Sequence, residues 1–216
     1  MFDCVLFDME GTLIDSYPGI LHSYQFAFHR LGLPFPGEAF VKTAIGAPLL
    51  SAFKREAGLE QPQAVRAVAY YREYYAVRGK REAKVYEGIP QALGDLKDAG
   101  CRIATATLKR ERFAAEILEE NGLMPFFDLV CGMDEGDRLS KSDLIRLCLR
   151  QLNVKKARAV LVGDSEYDEE GAREAGIPFL AVTYGFGFRA GVSPPYPAAR
   201  SPQEIPDQLA RIFRHT

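Results

Sequence analysis

A short apolar run that ends abruptly in acids occurs twice in this chain, and it restricts the fold more than any other feature. Near the N-terminus, Cys4-Val5-Leu6-Phe7 is rich in strand formers and stops at Asp8, with a second acid at Glu10 and a turn residue at Gly11. Far downstream, Val160-Leu161-Val162 is followed by Gly163, Asp164 and Asp168. Taken singly, the first reads as a core strand ending in a polar turn, and the second as acids capping a helix N-terminus. Together they point to an open parallel sheet, in which ligands bind beyond the carboxyl ends of the strands, so both units deliver acids to one place. Carboxylates gathered in this way oppose one another's ionisation, and a hard divalent cation is the usual compensation.

The remaining pattern agrees with such a sheet. Cys101 to Thr107 reads as a second core strand, Asp128 to Gly132 as a third, Ala159 to Val162 as the fourth and Pro178 to Thr183 as the fifth. Helical stretches lie between them: one with Ala92, Leu93 and Leu96 stopped by Gly100, an amphipathic one over Phe113 to Glu120, and one that Ser140 caps and Lys141 opens. Ser193 to Pro202 reads as an irregular surface run before a final helix, Pro206 to Phe213. Alternating strands and helices imply an α/β fold, a doubly wound parallel sheet with helices on both faces.

From Ser16 to about Lys84 the texture is helical instead. Ile20, Leu21, Tyr24, Phe28 and Leu31 keep helical spacing, and Leu49 to Ala57 and Gln63 to Val77 are further candidates. The expected organisation is a core of residues 1–15 and 85–216 with a smaller helical domain, 16–84, inserted. The pairs Tyr70/Tyr74 and Tyr71/Tyr75 in that insertion read as packing. His22 and His29 share a spacing but lack a third ligand, which favours a structural role over a metal site.

Charge and cysteine usage exclude several classes. The 27 basic and 29 acidic residues are scattered, so no basic patch argues for nucleic acid or an anionic membrane. Cys4, Cys101, Cys131 and Cys148 have no C-x-x-C spacing and read as free thiols of a reducing compartment. With no leader-like or membrane-spanning run, a cytoplasmic location is expected.

Two further residues could contribute to a site at that sheet edge. Lys141 sits where a helix dipole prefers acids, and such a misfit suggests a functional placement. Thr107, at a strand end, offers a hydroxyl and a neighbouring N–H to a phosphate oxygen, although threonine is also an ordinary strand residue. Lys109 and Arg110 could add positive charge there, with exposure at a helix start as the simpler account.

These segments carry a resemblance. FDMEGTLIDS resembles the first motif of the haloacid dehalogenase superfamily, usually D-x-D-G-T, and GDSEYD resembles the fourth, G-D-x-x-x-D. RIATATLKR, with Thr107, is similar to the second motif, and SKSDLI, with Lys141, to the third; all four keep the family's order and spacing. DSYPGI, AIGAPL, VYEGIP and VTYGFG resemble the phosphoglycolate-phosphatase-like branch, which includes bacterial nucleotidase-like members.

The resemblance implies a Rossmann-like core with its first strand between the second and fourth, and a helical cap that closes over the active site and chooses the substrate. It implies a phosphatase acting on a small phosphorylated metabolite, as a monomer or homodimer, with Mg2+ as cofactor and an aspartyl-phosphate at Asp8. Asp164 and the backbone carbonyl of Glu10 would share the metal with Asp8, and the Glu10 side chain would be the general acid/base. Lys141 and Thr107 would meet the phosphate, and Asp168 would steer Lys141. Leu108, Lys109 and Gly46 are expected on the substrate side.

One departure stands out: the family pattern has Asp where this chain has Glu10. The extra methylene moves the carboxyl by roughly 1 Å, and a misplacement of that size costs on the order of 100-fold. The alternatives are a phosphotransferase such as a sugar-phosphate mutase, which shares every motif, or, because of Glu10, a weakly active homologue that binds a phosphorylated ligand.

Overall fold

The computed structural model of the 216-residue chain describes residues 2–45, 47–136, 138–188 and 195–214. Its internal contacts divide it into two units, Met1–Ile14 with Val85–Thr216, and Asp15–Lys84. The strands are β1 (Cys4–Phe7), β2 (Ile14–Asp15), β3 (Lys84–Val85), β4 (Arg102–Arg110), β5 (Leu129–Met133), β6 (Ala159–Gly163), β7 (Phe179–Val182) and β8 (Ala198–Ala199). The chain crosses between the units at β2 and β3, which pair with each other.

Among the described residues, the larger unit is built on a six-stranded sheet in the order β5-β4-β1-β6-β7-β8, with parallel pairing throughout. The first strand lies between the second and fourth core strands, as the resemblance implies. Every residue of β1 and β6 is buried, as near-continuous apolar runs in a parallel sheet require. On one face Cys4, Leu6, Ala104, Ala106 and Leu161 pack against Leu144, Ile145 and Cys148 of helix Lys141–Gln151 and against Ala172 and Ala175 of helix Glu166–Ala175. Each large apolar side chain sequestered in this layer contributes roughly 1.5–3 kcal/mol.

Register fixes where the chemistry falls. Phe7 is aligned with Thr105 on one side and Val162 on the other, so Asp8, Thr107 and Asp164 leave the sheet at the same edge. Two departures from the expected pattern bear on that edge. β4 continues past Thr107 to Arg110 by bulging against β5: Ala106 pairs with Cys131 and Arg110 with Met133. Within the run expected to be irregular, Ala198 and Ala199 form a parallel edge strand on β7, a two-residue element among prolines that is too short to show a period. Ser193 of that run lies outside the described residues.

The smaller unit contains helices Tyr17–Leu31, Glu38–Ala44 and Gln61–Val77 around an aromatic centre. Tyr24 meets Phe40, Phe53 and Tyr71 edge to face at centroid separations of 4.9, 5.2 and 4.9 Å, an arrangement the ring quadrupoles favour. Tyr71 and Tyr75 are buried, in keeping with a packing role. The single helix expected over Leu49 to Ala57 is instead a short turn, Leu49–Ser51, passing into a wider one, Ala52–Glu56, in which the Ala57 N–H donates to the Ala52 carbonyl at 3.2 Å. Helix Glu38–Ala44 begins at Gly37 without a side-chain cap, which explains why its sequence gives so little signal. His22 is an exposed partner of Glu82 at 2.6 Å, and it takes no part in a metal-type cluster among the described residues.

Among the described residues no helix is long and apolar enough to cross a membrane. All four cysteines are free and buried.

Candidate active site

β1 ends by delivering Asp8, which is 7% exposed, to the sheet edge, and the chain then turns back tightly. The Met9 carbonyl accepts from the N–H groups of Leu13 and Ile14 at 2.9 and 3.1 Å, closing the loop that carries Glu10 and Gly11. β6 ends in the same way at Asp164, after which Ser165 opens helix Glu166–Ala175. Asp8, Asp164 and Asp168 are all buried, and each places a carboxylate oxygen within 4.8 Å of the others.

The cation among these acids is Lys141, the first residue of its helix. Its buried ammonium lies 2.6 Å from Asp8 Oδ1 and 2.7 Å from Asp168 Oδ1, and it donates to the Ala106 carbonyl at 2.9 Å. Three oxygens thus surround a group with three N–H donors. The misfit with the helix dipole is outweighed by this ion-pair set. Asp168 does two jobs at once. Its Oδ2 accepts from Ser165 N at 3.1 Å and Ser165 Oγ at 2.6 Å as a capping box, while its Oδ1 faces Lys141. Helix capping and steering of the lysine are therefore compatible readings of one side chain.

Asp164 is held by backbone. Its Oδ2 accepts from the N–H groups of Phe186 and Gly187 at 2.7 and 3.1 Å. Gly11, at φ +76°, presses against it from the first loop, and a Cβ there would fall 2.1 Å from Asp164 Oδ2. A Cβ on Gly185 would fall 2.2 Å from the Gly11 carbonyl oxygen. Both positions need glycine because the backbone itself packs on the acid.

Electrostatics follow from this burial. Desolvation, chiefly, and then the neighbouring Asp168 raise the Asp8 carboxyl to about 6 against the opposing pull of Lys141. Asp164 is pushed well above the usual carboxylate range by burial and by the charges of Asp168 and Asp8, despite the two amides that favour its ionised form. Burial alone would lower Lys141, but Asp168 and Asp8 more than reverse this and raise it. Of the three buried carboxylates, Asp8 and Asp168 pair with the Lys141 ammonium and Asp164 is met by backbone amides, and the donors are all hard oxygens. That set fits a hard divalent cation, which would supply the missing positive charge.

Thr107 is 2% exposed, and its Oγ1 accepts the Lys109 N–H at 3.2 Å. The Leu108 side chain packs against the apolar core, so only its backbone is offered at the strand end. Lys109 is not the exposed helix-start residue of the simpler account: it lies buried on β4, and its ammonium is paired with Glu10. The bulge in β4 is what turns it inward. Arg110 pairs with Glu135 at 2.6 Å instead. Gly46 lies outside the described residues. The Phe186 and Gly187 amides and the Lys109–Glu10 pair are additions to the sequence reading; VTYGFG marked the first place, and nothing local marked the second.

An acid-lined strand edge of this kind on a parallel α/β sheet defines a class, and comparison with known proteins agrees. Residues 5–182 match the family model described as haloacid dehalogenase-like hydrolase, and the chain belongs to that family. It is 37% identical over 184 residues to a 5'-nucleotidase of Pseudomonas aeruginosa, covering 85% of this chain and 83% of that protein. It is 30% identical over 193 residues to a phosphoglycolate phosphatase of Thiobacillus denitrificans, covering 84% and 83%. The tyrosine-protein kinase PtkA of Mycobacterium tuberculosis is 38% identical over 184 residues, covering 85% of this chain but only 62% of PtkA. The solved structure of a predicted phosphatase from Clostridium acetobutylicum superposes with a TM-score of 0.89 at 34% identity, covering 98% of this chain and 99% of that one. Within its family the chain is a phosphatase, a phosphoric monoester hydrolase.

Proposed function

We propose that the chain hydrolyses a small phosphomonoester, of the phosphoglycolate or nucleoside monophosphate kind, through an aspartyl-phosphate on Asp8. The observation that carries this reading is Asp8 itself, at the end of the central strand with Lys141 2.6 Å away and two further acids close by. In the first half-reaction an Asp8 oxygen attacks phosphorus and the bond to the leaving oxygen breaks. Its electron pair departs with that oxygen, which takes a proton from the Glu10 carboxyl group. In the second, Glu10 takes a proton from water as the water oxygen bonds to phosphorus and the electron pair of the Asp8–phosphorus bond returns to Asp8. Lys141 and the Thr107 region face the charge on the phosphoryl oxygens.

Asp8, Asp164 and the Glu10 carbonyl would hold the divalent cation, Mg2+ by the hardness of the donors, and when bound it would neutralise charge on the transferring group. We assign substrate choice to the helical segment, residues 16–84, and place the protein in the cytoplasm, in keeping with four free buried thiols. It would act as a monomer or homodimer.

A phosphate-release screen over phosphorylated metabolites, with magnesium and with chelator, tests this reading on the native chain and on Asp8→Asn. Release that needs magnesium and Asp8 supports it. The likeness to PtkA favours a second reading, phosphoryl transfer to an acceptor other than water. In that case label from the substrate would appear on the acceptor and free phosphate would not accumulate.

A further inference from the structure

Glu10, the second acid after β1, is held by a residue of another strand. Glu10 Oε1 and Lys109 Nζ form an ion pair, with the lysine side chain 4% exposed and the glutamate 23%. Lys109 reaches this place because Thr107, Leu108 and Lys109 bulge opposite a single residue of β5, Gly132. A Cβ on Gly132 would fall 2.6 Å from the Lys109 carbonyl oxygen and 2.6 Å from the Glu111 Cα, so the bulge packs directly on that glycine. On its other side the Lys109 N–H donates to Thr107 Oγ1 at 3.2 Å. The lysine backbone is thus fixed from two directions. Glu10 stands in the closed loop after β1, but its side chain has one more torsion than aspartate and correspondingly more places to put its carboxylate. A buried ammonium anchored on β4 selects one of them.

We propose that Lys109 is a positioning residue for Glu10, a partner matched to the longer acid that this chain carries. The proposal rests on the acid/base role given to Glu10 above. It also predicts that Lys109 acts on the reaction through Glu10 and not by anchoring substrate.

The test uses p-nitrophenyl phosphate with magnesium, followed by stopped flow. p-Nitrophenolate leaves without needing a proton, so with this substrate Glu10 serves only the second half-reaction. Lys109→Met is expected to release a burst of p-nitrophenolate stoichiometric with enzyme. Steady turnover should then fall on the order of 10- to 100-fold below native, without a raised KM. Lys109→Arg should recover most of the turnover, and Glu10→Gln should show the same burst. If Glu10→Gln bursts while Lys109→Met shows a raised KM and no burst, Lys109 is a substrate contact and the proposal fails while the functional reading stands. If neither bursts, Glu10 is not the base, and the acid/base assignment falls together with the proposal. Unchanged turnover in Lys109→Met would also overturn it. Thermal melting checks that each variant is folded, and Lys109→Gln is read in the same way should the methionine variant not fold.

Discussion

Lys141 Nζ lies 2.6 Å from Asp8 Oδ1 although 133 residues separate them in the chain. The contact joins the end of the central strand to the start of the helix that follows β5, and both side chains are buried. Removing the lysine strands two buried acids. Lys141→Met, assayed by urea unfolding in chelator, is expected to lose about 3–5 kcal/mol, because breaking a buried pair leaves an uncompensated charge. Its phosphatase turnover should fall at least on the order of 100-fold.

Asp168 carries two separable duties, and two substitutions separate them. Asp168→Asn keeps an acceptor for Ser165, whereas Asp168→Ala loses it along with the charge facing Lys141. Turnover should drop similarly in both. The alanine variant should be less stable than the asparagine variant by about 1 kcal/mol, the worth of a helix cap. Denaturant titration beside a turnover assay measures the two effects.

Gly11→Ala tests the packing on Asp164. The position combines a positive φ with a Cβ placed 2.1 Å from Asp164 Oδ2, so the variant must displace the acid or the loop. Calorimetry is expected to show magnesium affinity weakened by at least about tenfold, along with a loss of roughly 1–2 kcal/mol of stability for alanine at left-handed φ. Native-like magnesium affinity would show that the loop yields without disturbing Asp164.

Asp128 makes an acid-limb prediction remote from the site. Burial raises its carboxyl, but the Lys97 ammonium and the Ile103 N–H more than offset this, so its net shift is downward. A group depressed in the folded state contributes stability above its unfolded pKa and loses it as pH falls through the folded value. The native Tm should therefore drop more steeply than that of Asp128→Asn below about pH 4, and the two curves should run parallel near neutrality. Melting curves across that range check it.

How much of this could be read from the sequence depends on how local each feature is. Asp8 and Asp164 each follow an apolar strand directly, and parallel register alone then carries them to one sheet edge. Lys141 announced itself by violating a local rule, since a lysine at the first position of a helix calls for a reason. The Lys109–Glu10 pair gave no such signal: its members are 99 residues apart, and the inward turn of Lys109 depends on a bulge set by β5. VTYGFG marked the place of the Phe186 and Gly187 amides but not their role, because a backbone donor leaves no side-chain signature. β8 escaped for want of length.

The most direct test of the central claim is to trap the covalent state on Asp8. The native chain, mixed with p-nitrophenyl phosphate and magnesium and quenched in acid within the turnover time, should yield on peptide mass analysis one added phosphoryl group on the peptide carrying Asp8. The modification should be absent from Asp8→Asn. A phosphoryl group on any other residue, or an Asp8→Asn chain that still releases phosphate at the native rate, would contradict the account.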